Sequence, residues 1–329
     1  MASILILGGG VFLGKHVTTT LLSRGHQVTH FNRGRSGTAP AGAATILGDR
    51  RFDLASAGST SWDAIVDTSG YVPRDVEIAS RYFAQRAKRY LFVSTISVYD
   101  ASFAPIDEDS PTVPLAPEAD RTRVNPEIYG ALKAGCEAIV TSTYRQRATI
   151  VRPGLIVGPD DPTDRFTAWP LRFARGGDVL VPESPTFATQ FVDVRDLAAF
   201  IVHALERDLA GIYNVTSPRG AHTLGAVFSA CIEAARVPTR LRWATPEFLQ
   251  RHEIGAWIDM PLWIPASAGE PGMLAIDVRR ALVAGLQLRS LEQTVRDTLA
   301  WTRTWPRDRS PHAGLTPQRE DTALAALAR

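Results

Sequence analysis

Ser3-Ile4-Leu5-Ile6-Leu7-Gly8-Gly9-Gly10-Val11-Phe12-Leu13-Gly14-Lys15 is an apolar run that breaks into three glycines and resumes as a helical pattern reaching Arg24-Gly25. Residues 3–7 show no polar alternation, the pattern of a parallel strand covered on both faces. A strand, a glycine turn and a helix N-terminus in succession form an anion site, because unpaired backbone N–H groups and the helix dipole converge there. Taken alone, the glycines also fit a plain tight turn. Residues 27–32 follow as a second strand at βαβ distance, and this context favours a loop that cradles the pyrophosphate of a dinucleotide. The expected fold class is α/β, a Rossmann-type doubly wound parallel sheet with a smaller C-terminal lobe.

Asn32-Arg33-Gly34-Arg35 closes the second strand where an NAD site usually carries Asp or Glu for the ribose 2′-OH. An amide and two guanidinium groups favour a 2′-phosphate instead, so NADP(H) is expected ahead of NAD(H), with NAD(H) left open. Residues 44–47 read as a third strand, after which Asp49 offers a carboxylate to an adenine amino group. Residues 62–68 contain a fourth, opening into Thr68-Ser69-Gly70-Tyr71, whose small residues let a cofactor lie close. A helix over residues 74–87 precedes a fifth strand at 89–93. That strand runs into Ser94-Thr95-Ile96-Ser97-Val98-Tyr99, placing hydroxyls at the carboxyl end of a central strand, where open α/β sheets bind ligands.

Asn125-Pro126-Glu127-Ile128-Tyr129-Gly130-Ala131-Leu132-Lys133 begins the next helix, with Asn125 as N-cap and Pro126 as the first helical residue. Tyr129 and Lys133 share a face at i and i+4. A neighbouring cation favours the phenolate and lowers a pKa ordinarily near 10, which makes Tyr129 a candidate general acid/base. Tyr-x-x-x-Lys also arises by chance. Lys15, Lys88 and Lys133 are the lysines here, set against seven tyrosines, so only about 0.06 chance matches are expected.

Between Ala104 and Pro126 the prolines mark an irregular loop, and its Asp107-Glu108-Asp109 reads as solvated surface; no metal site is expected. A sixth strand is expected at 149–152, ahead of Pro153-Gly154. Residues 1–156 read as the NAD(P)-binding domain and 157–303 mainly as a substrate-binding lobe, with some later segments returning to the first domain. Residues 304–329 read as a flexible tail. In the lobe, helices are expected at 165–175, 194–206, 224–235, 246–252 and 291–302, and Trp169, Trp257 and Trp263 are assigned chiefly to its core.

The net charge of +2 gives no general reason to expect nucleic acid or an anionic membrane as partner. Cys136 and Cys231 lie far apart without metal-ligand spacing, which suits a reduced, cytoplasmic protein, and Cys136 reads as a small packing residue. No apolar run reaches membrane-spanning length, and no targeting segment is expected.

Taken together, five motifs in order resemble the short-chain dehydrogenase/reductase superfamily, in its extended or atypical branch of NAD-dependent epimerase/dehydratase-like proteins. They are the glycine loop, Val93-Ser94-Thr95-Ile96-Ser97-Val98-Tyr99, Tyr129-Gly130-Ala131-Leu132-Lys133, Val151-Arg152-Pro153-Gly154 with Val157-Gly158-Pro159, and Phe191-Val192-Asp193-Val194-Arg195-Asp196-Leu197. The resemblance implies an active trio of Thr95, Tyr129 and Lys133. It implies Gly8, Gly9, Phe12, Leu13 and Gly14 at the pyrophosphate, Asn32 and Arg33 at the adenosine ribose, and Asp49 and Arg50 at the adenine. Thr68, Ser69 and Gly70 then line the cofactor, and Pro153 and Gly154 approach the nicotinamide. A homodimer through the helices near 74–87 and 126–144 is a further family expectation.

Three departures narrow the expectation. Val11 replaces the middle glycine of Gly-x-x-Gly-x-x-Gly, as in an atypical Gly-Gly-x-x-x-x-Gly subgroup labelled as variously as isoflavone reductase, sugar dehydratase and RNA-binding protein. Ile96-Ser97 stands where nucleotide-sugar dehydratases carry Asp-Glu, so that chemistry lacks its acid and base. Thr189 stands where sugar-nucleotide epimerases often carry a diphosphate-binding Arg. The first expectation is therefore an NADP(H)-dependent oxidoreductase acting on a carbonyl or alcohol of a small metabolite. An epimerase of a sugar or sugar nucleotide is the runner-up, and a non-catalytic NAD(P)- or RNA-binding protein is the reading from another class.

Overall fold

The computed structural model describes residues 1–328. Strands β1 (Ser3–Leu7), β2 (Gln27–Asn32), β3 (Ala44–Leu47), β4 (Trp62–Asp67), β5 (Ala87–Val93) and β6 (Ala148–Pro153) join the later strand Gly211–Val215 in one seven-stranded sheet. Its order is Gly211–Val215, β6, β5, β4, β1, β2, β3. Every pairing in it is parallel. β1 lies between β2 and β4, and chain order reverses there, so the Rossmann-type arrangement holds and its switch point falls beside the glycine loop.

Residues of β1 are buried on both sides, and the two sets enter different cores. Ile4 and Ile6 pack with Leu13, Val17 and Leu21 of α1 (Phe12–Ser23) and with Val194 to Ala204 of the helix Val194–Glu206. Leu5 and Leu7 pack with Val76, Ala79 and Phe83 of α2 (Pro73–Phe83) and with Cys136 and Val140 of α3 (Tyr129–Tyr144). Two buried faces leave no position for a polar residue, which explains the unbroken apolar run.

The lobe has its own core around Trp169, Phe173, Phe228 and Trp263. Helices Ala168–Ala174, Leu224–Ala235 and Leu291–Thr302 surround a parallel pair, Gly177–Pro182 with Thr239–Ala244. That pair has no counterpart in the sequence reading, because arginines at 240 and 242 interrupt the apolar pattern. Helix Val194–Glu206 and strand Gly211–Val215 return to the nucleotide-type layer.

Two expectations need correction. Residues 304–329 are not a loose tail throughout: helix Pro317–Leu327 docks on the lobe, with Glu320 only 4% exposed. Glu320 accepts from Arg172 Nε (2.5 Å) and from the Leu180 N–H (3.1 Å), and Asp164, fully buried, accepts from Arg309 Nη2 at 3.1 Å and the His312 N–H at 3.0 Å. The acidic run is not all solvated either. Glu108 is buried and accepts the Asn214 N–H at 2.9 Å, and burial raises its pKa.

Arg152 ties these layers together. Its guanidinium, buried at the end of β6, donates to Glu137 of α3 through Nε (2.9 Å) and Nη2 (2.6 Å), and to Tyr99 Oη through Nη1 (2.7 Å). Tyr99 in turn donates to Asn214 Oδ1 at 2.7 Å. Removing one partner of a buried ion pair strands the other charge. Glu137→Ala is therefore expected to cost roughly 3–5 kcal/mol in urea unfolding; a loss below about 1 kcal/mol, the level of a surface pair, would show that Arg152 needs no carboxylate.

Candidate active site

A cleft of about 550 Å³ opens along the carboxyl edge of the sheet. Gly8, Gly9, Phe12, Leu13 and Gly14 line it, as do Asn32 and Arg33 after β2, Asp49 and Arg50 after β3, and Thr68 and Ser69 after β4. Pro153, Tyr129 and Lys133 complete the far wall. Gly70, Thr95 and Gly154 stand behind this lining. The Gly70 carbonyl accepts from Lys133, and the Gly154 N–H donates to Val215 O at 3.1 Å.

The glycine loop is built by close approach. A Cβ on Gly14 would lie 2.5 Å from the Gly9 Cα, and one on Gly9 would lie 2.8 Å from the His30 ring. Helix α1 can begin against the loop only because both side chains are missing, and this points its free N–H groups into the cleft. Val11 sits at φ −138°, ordinary extended backbone, so its side chain brings no strain to the middle glycine position. Asn32 braces the loop from below, donating to Gly8 O at 3.1 Å and accepting the Gly34 N–H at 2.9 Å. Its amide is thus engaged with backbone. Arg33 and Arg35 line the cleft and enter no side-chain hydrogen bond or ion pair among the described residues.

Arg50 does not offer a free guanidinium to an adenine. It forms a bidentate pair with buried Asp67 (2.8 and 2.9 Å) and donates to Ser69 Oγ (2.8 Å), while Tyr90 donates to the same Asp67 at 2.7 Å. Asp49 Oδ1 caps its own turn by accepting the Arg51 N–H at 3.0 Å.

Asn125 caps a short 3-10 turn, Pro126–Ile128, through a bond from the Glu127 N–H to its side chain (3.0 Å), and α3 proper starts at Tyr129. A Cβ on Gly130 would fall 1.9 Å from Ser97 O, so this glycine lets the helix rest on the loop after β5. Tyr129 is thereby brought to Thr95, whose hydroxyl favours the phenolate. Burial dominates, however, reinforced by the Tyr71 phenol, and the Tyr129 pKa is raised to about 12. The expected lowering by Lys133 is absent because the ammonium turns into the sheet, donating to Gly70 O (2.6 Å) and Val93 O (2.7 Å). It lies 4.1 Å from the Phe92 ring centroid, and burial lowers its pKa to about 8.

Among the lining residues to which the sequence reading gave no role of their own, Tyr71 and Ser94 stand out. Tyr71, 47% exposed, has its ring 5.7 Å from the Lys133 ammonium. Its signal was its place directly after Thr68-Ser69-Gly70. Ser94 lines the cleft beside Val93, and its buried Oγ has no partner among the described residues. A glycine cradle that added Cβ atoms would fill, unpaired guanidinium groups and an orphaned hydroxyl together fit a dinucleotide.

Beneath the loop, His30 is fully buried and its Nε2 lies 2.7 Å from Thr18 Oγ1. The Thr18 hydroxyl already donates to Gly14 O, so Nε2 carries the hydrogen and Nδ1 is bare, without a partner among the described residues. Burial lowers the His30 pKa. With a folded value below the unfolded one, its contribution to stability is present above about pH 6.5 and is lost as pH falls through the folded value. Urea midpoints are expected to fall between about pH 7.5 and about pH 5, and His30→Gln to shrink that fall; an equal fall in both proteins would exclude His30 as its source.

Comparison with known proteins agrees with this geometry. Among curated proteins, the chain is similar to the chloroplast stem-loop binding protein of 41 kDa b of Arabidopsis thaliana, at 25% identity over 254 residues. That alignment covers 71% of this chain and 64% of the relative's length. Among solved structures, UDP-glucose 4-epimerase of Thermus thermophilus in complex with NAD superposes with a TM-score of 0.65 at 20% identity, covering 92% of this chain and 100% of that one. UDP-glucuronic acid 4-epimerase of Bacillus cereus, also with NAD, gives 0.66 at 15% identity, covering 92% and 98%. These two likenesses concern the fold. Residues 4–216 match the NAD dependent epimerase/dehydratase family, and the chain belongs to that family of enzymes.

Proposed function

We propose that this chain is an NADP(H)-dependent oxidoreductase acting on a carbonyl or alcohol of a small metabolite. The observation that carries this reading is a single cleft lined by the glycine loop at one end and by buried Tyr129 and Lys133 at the other. A bound nicotinamide supplies or accepts hydride at the substrate carbon. Tyr129, with its pKa near 12, holds its proton at neutral pH and donates it from Oη to an oxygen that gains negative charge. Thr95, behind the cleft wall, steadies that phenol with its hydroxyl. Lys133, with its pKa near 8, stays mostly cationic at neutral pH and stabilises the same developing charge. Arg33 and Arg35 bind a 2′-phosphate with charge-assisted hydrogen bonds. The small-molecule substrate is the partner in this reading, with a homodimer packed through α2 and α3.

The family and the named 4-epimerases favour a second reading, an epimerase that oxidises and re-reduces one substrate. Cofactor that copurifies, with activity needing none added, distinguishes it. The name of the Arabidopsis relative, a stem-loop binding protein, favours a third reading, binding of a nucleic acid such as RNA, for which steep salt dependence without turnover is the signature.

Nicotinamide fluorescence titrations are expected to give NADPH an advantage over NADH of about tenfold or more, erased in Arg33→Ala, since a bond to a charged group contributes ~1.5–3 kcal/mol. Equal affinities in wild type would remove the 2′-phosphate assignment. Once a carbonyl substrate is in hand, Tyr129→Phe should lower kcat about 10²–10⁴-fold and leave NADPH affinity within about twofold. Unchanged kcat would take the proton-transfer role from Tyr129.

A further inference from the structure

A second cavity, of about 220 Å³, lies between helix Ala168–Ala174 and residues 305–320, and shares no lining residue with the cofactor cleft. Its apolar walls include Trp169, Leu180, Met260, Pro261, Ala313 and Leu315. Arg172, Arg175, Arg309, Trp305, Asp259 and Glu320 supply the polar atoms.

The side-chain acceptors in this wall are already spent. Glu320 takes Arg172 Nε on one oxygen and the Leu180 N–H on the other. Asp259 takes Arg319 at 2.6 Å and the Gly255 N–H at 2.8 Å. The donors are not all spent. Arg172 uses each of its three nitrogens, on Glu320, Gly176 O and Asp178 O. Arg175, by contrast, is 47% exposed at its side chain and makes one long bond, 3.3 Å, to a carboxylate that Arg172 already holds more closely. Arg309 stacks 3.4 Å over the Trp305 ring and uses one terminal nitrogen on Asp164. The Trp305 Nε1–H is sealed from solvent and has no acceptor among the described residues.

Apolar walls and a half-exposed, loosely held cation at the rim define one chemistry. We propose that this cavity binds a small apolar monocarboxylate, a ring or short chain carrying a single carboxylate, with its body against Trp169 and Leu180 and its oxygens taken by Arg175. The volume lies below the roughly 300–1,000 Å³ of drug-sized sites, which sets the size class. Arg175 can turn to the ligand because Glu320 keeps Arg172 and the Leu180 N–H. The inference is independent of the reaction proposed for the cofactor cleft.

The test is calorimetric titration of the full chain with phenylacetate and with its uncharged isostere phenylacetamide, each in saturating NADPH. Phenylacetate is expected to bind one to one with a Kd below about 1 mM. Phenylacetamide should bind at least about tenfold more weakly, in line with loss of a charge-assisted bond. Arg175→Gln, at a half-exposed position, should keep the wild-type melting temperature and weaken phenylacetate about tenfold. No binding at about 10 mM, equal binding of acid and amide, displacement of phenylacetate by NADPH, or indifference to Arg175→Gln would each overturn the proposal.

Discussion

The contact between Gly9 and Gly14 is the constraint on which the site depends. With a would-be Cβ only 2.5 Å from backbone, the first turn of α1 sits directly on the loop that leaves β1. β1 itself is held in parallel register by β2 and β4, so the loop is fixed at the centre of the sheet's carboxyl edge. Each later strand then delivers its own terminal residues to that edge. Arg33, Ser69, Ser94 and Pro153 become neighbours in space through parallel pairing, with nothing local in the chain to bring them together.

Burial, more than pair spacing, sets the chemistry of the far wall. The i and i+4 relation puts Tyr129 and Lys133 on one helical face, yet the flexible four-carbon stem of the lysine reaches past the phenol to two strand-end carbonyls. Desolvation therefore acts on the two groups in opposite senses. It keeps the phenol neutral and pulls the ammonium toward its titration range. The result is a protonated donor beside a cation held by neutral dipoles, a pairing suited to giving a proton to an oxygen.

The lobe follows a different logic, in which buried acids anchor segments that would otherwise be peripheral. Asp164 and Glu320 draw residues 309–320 onto helix Ala168–Ala174, and Glu108 draws the proline-rich loop onto strand Gly211–Val215. Each carboxylate satisfies backbone N–H groups or guanidinium groups, so the charge is buried with partners. Where acceptors are exhausted by this arrangement, Arg175 is left with one long bond at the rim of the second cavity.

Much of this molecule was open to reading without coordinates. The unbroken β1 run, the glycines after it and the apolar periods of helices Val194–Glu206, Leu224–Ala235 and Leu291–Thr302 are local patterns, and local patterns determine element type and order. The residues at strand ends followed too, because a parallel sheet places them on one edge. The sequence by itself thus determined the Rossmann-type layer and pointed to many of the residues that line the cleft. Tertiary structure alone decided that Arg50 would be spent on Asp67, that Lys133 would face the Gly70 and Val93 carbonyls, that Tyr71 would stand beside both, that Glu108 would be buried and that the final helix would dock through Glu320 and Ala323. The physical reason is common to all five. The state of a polar side chain depends on which partners and how much water surround it, and those are supplied by segments tens to hundreds of residues away.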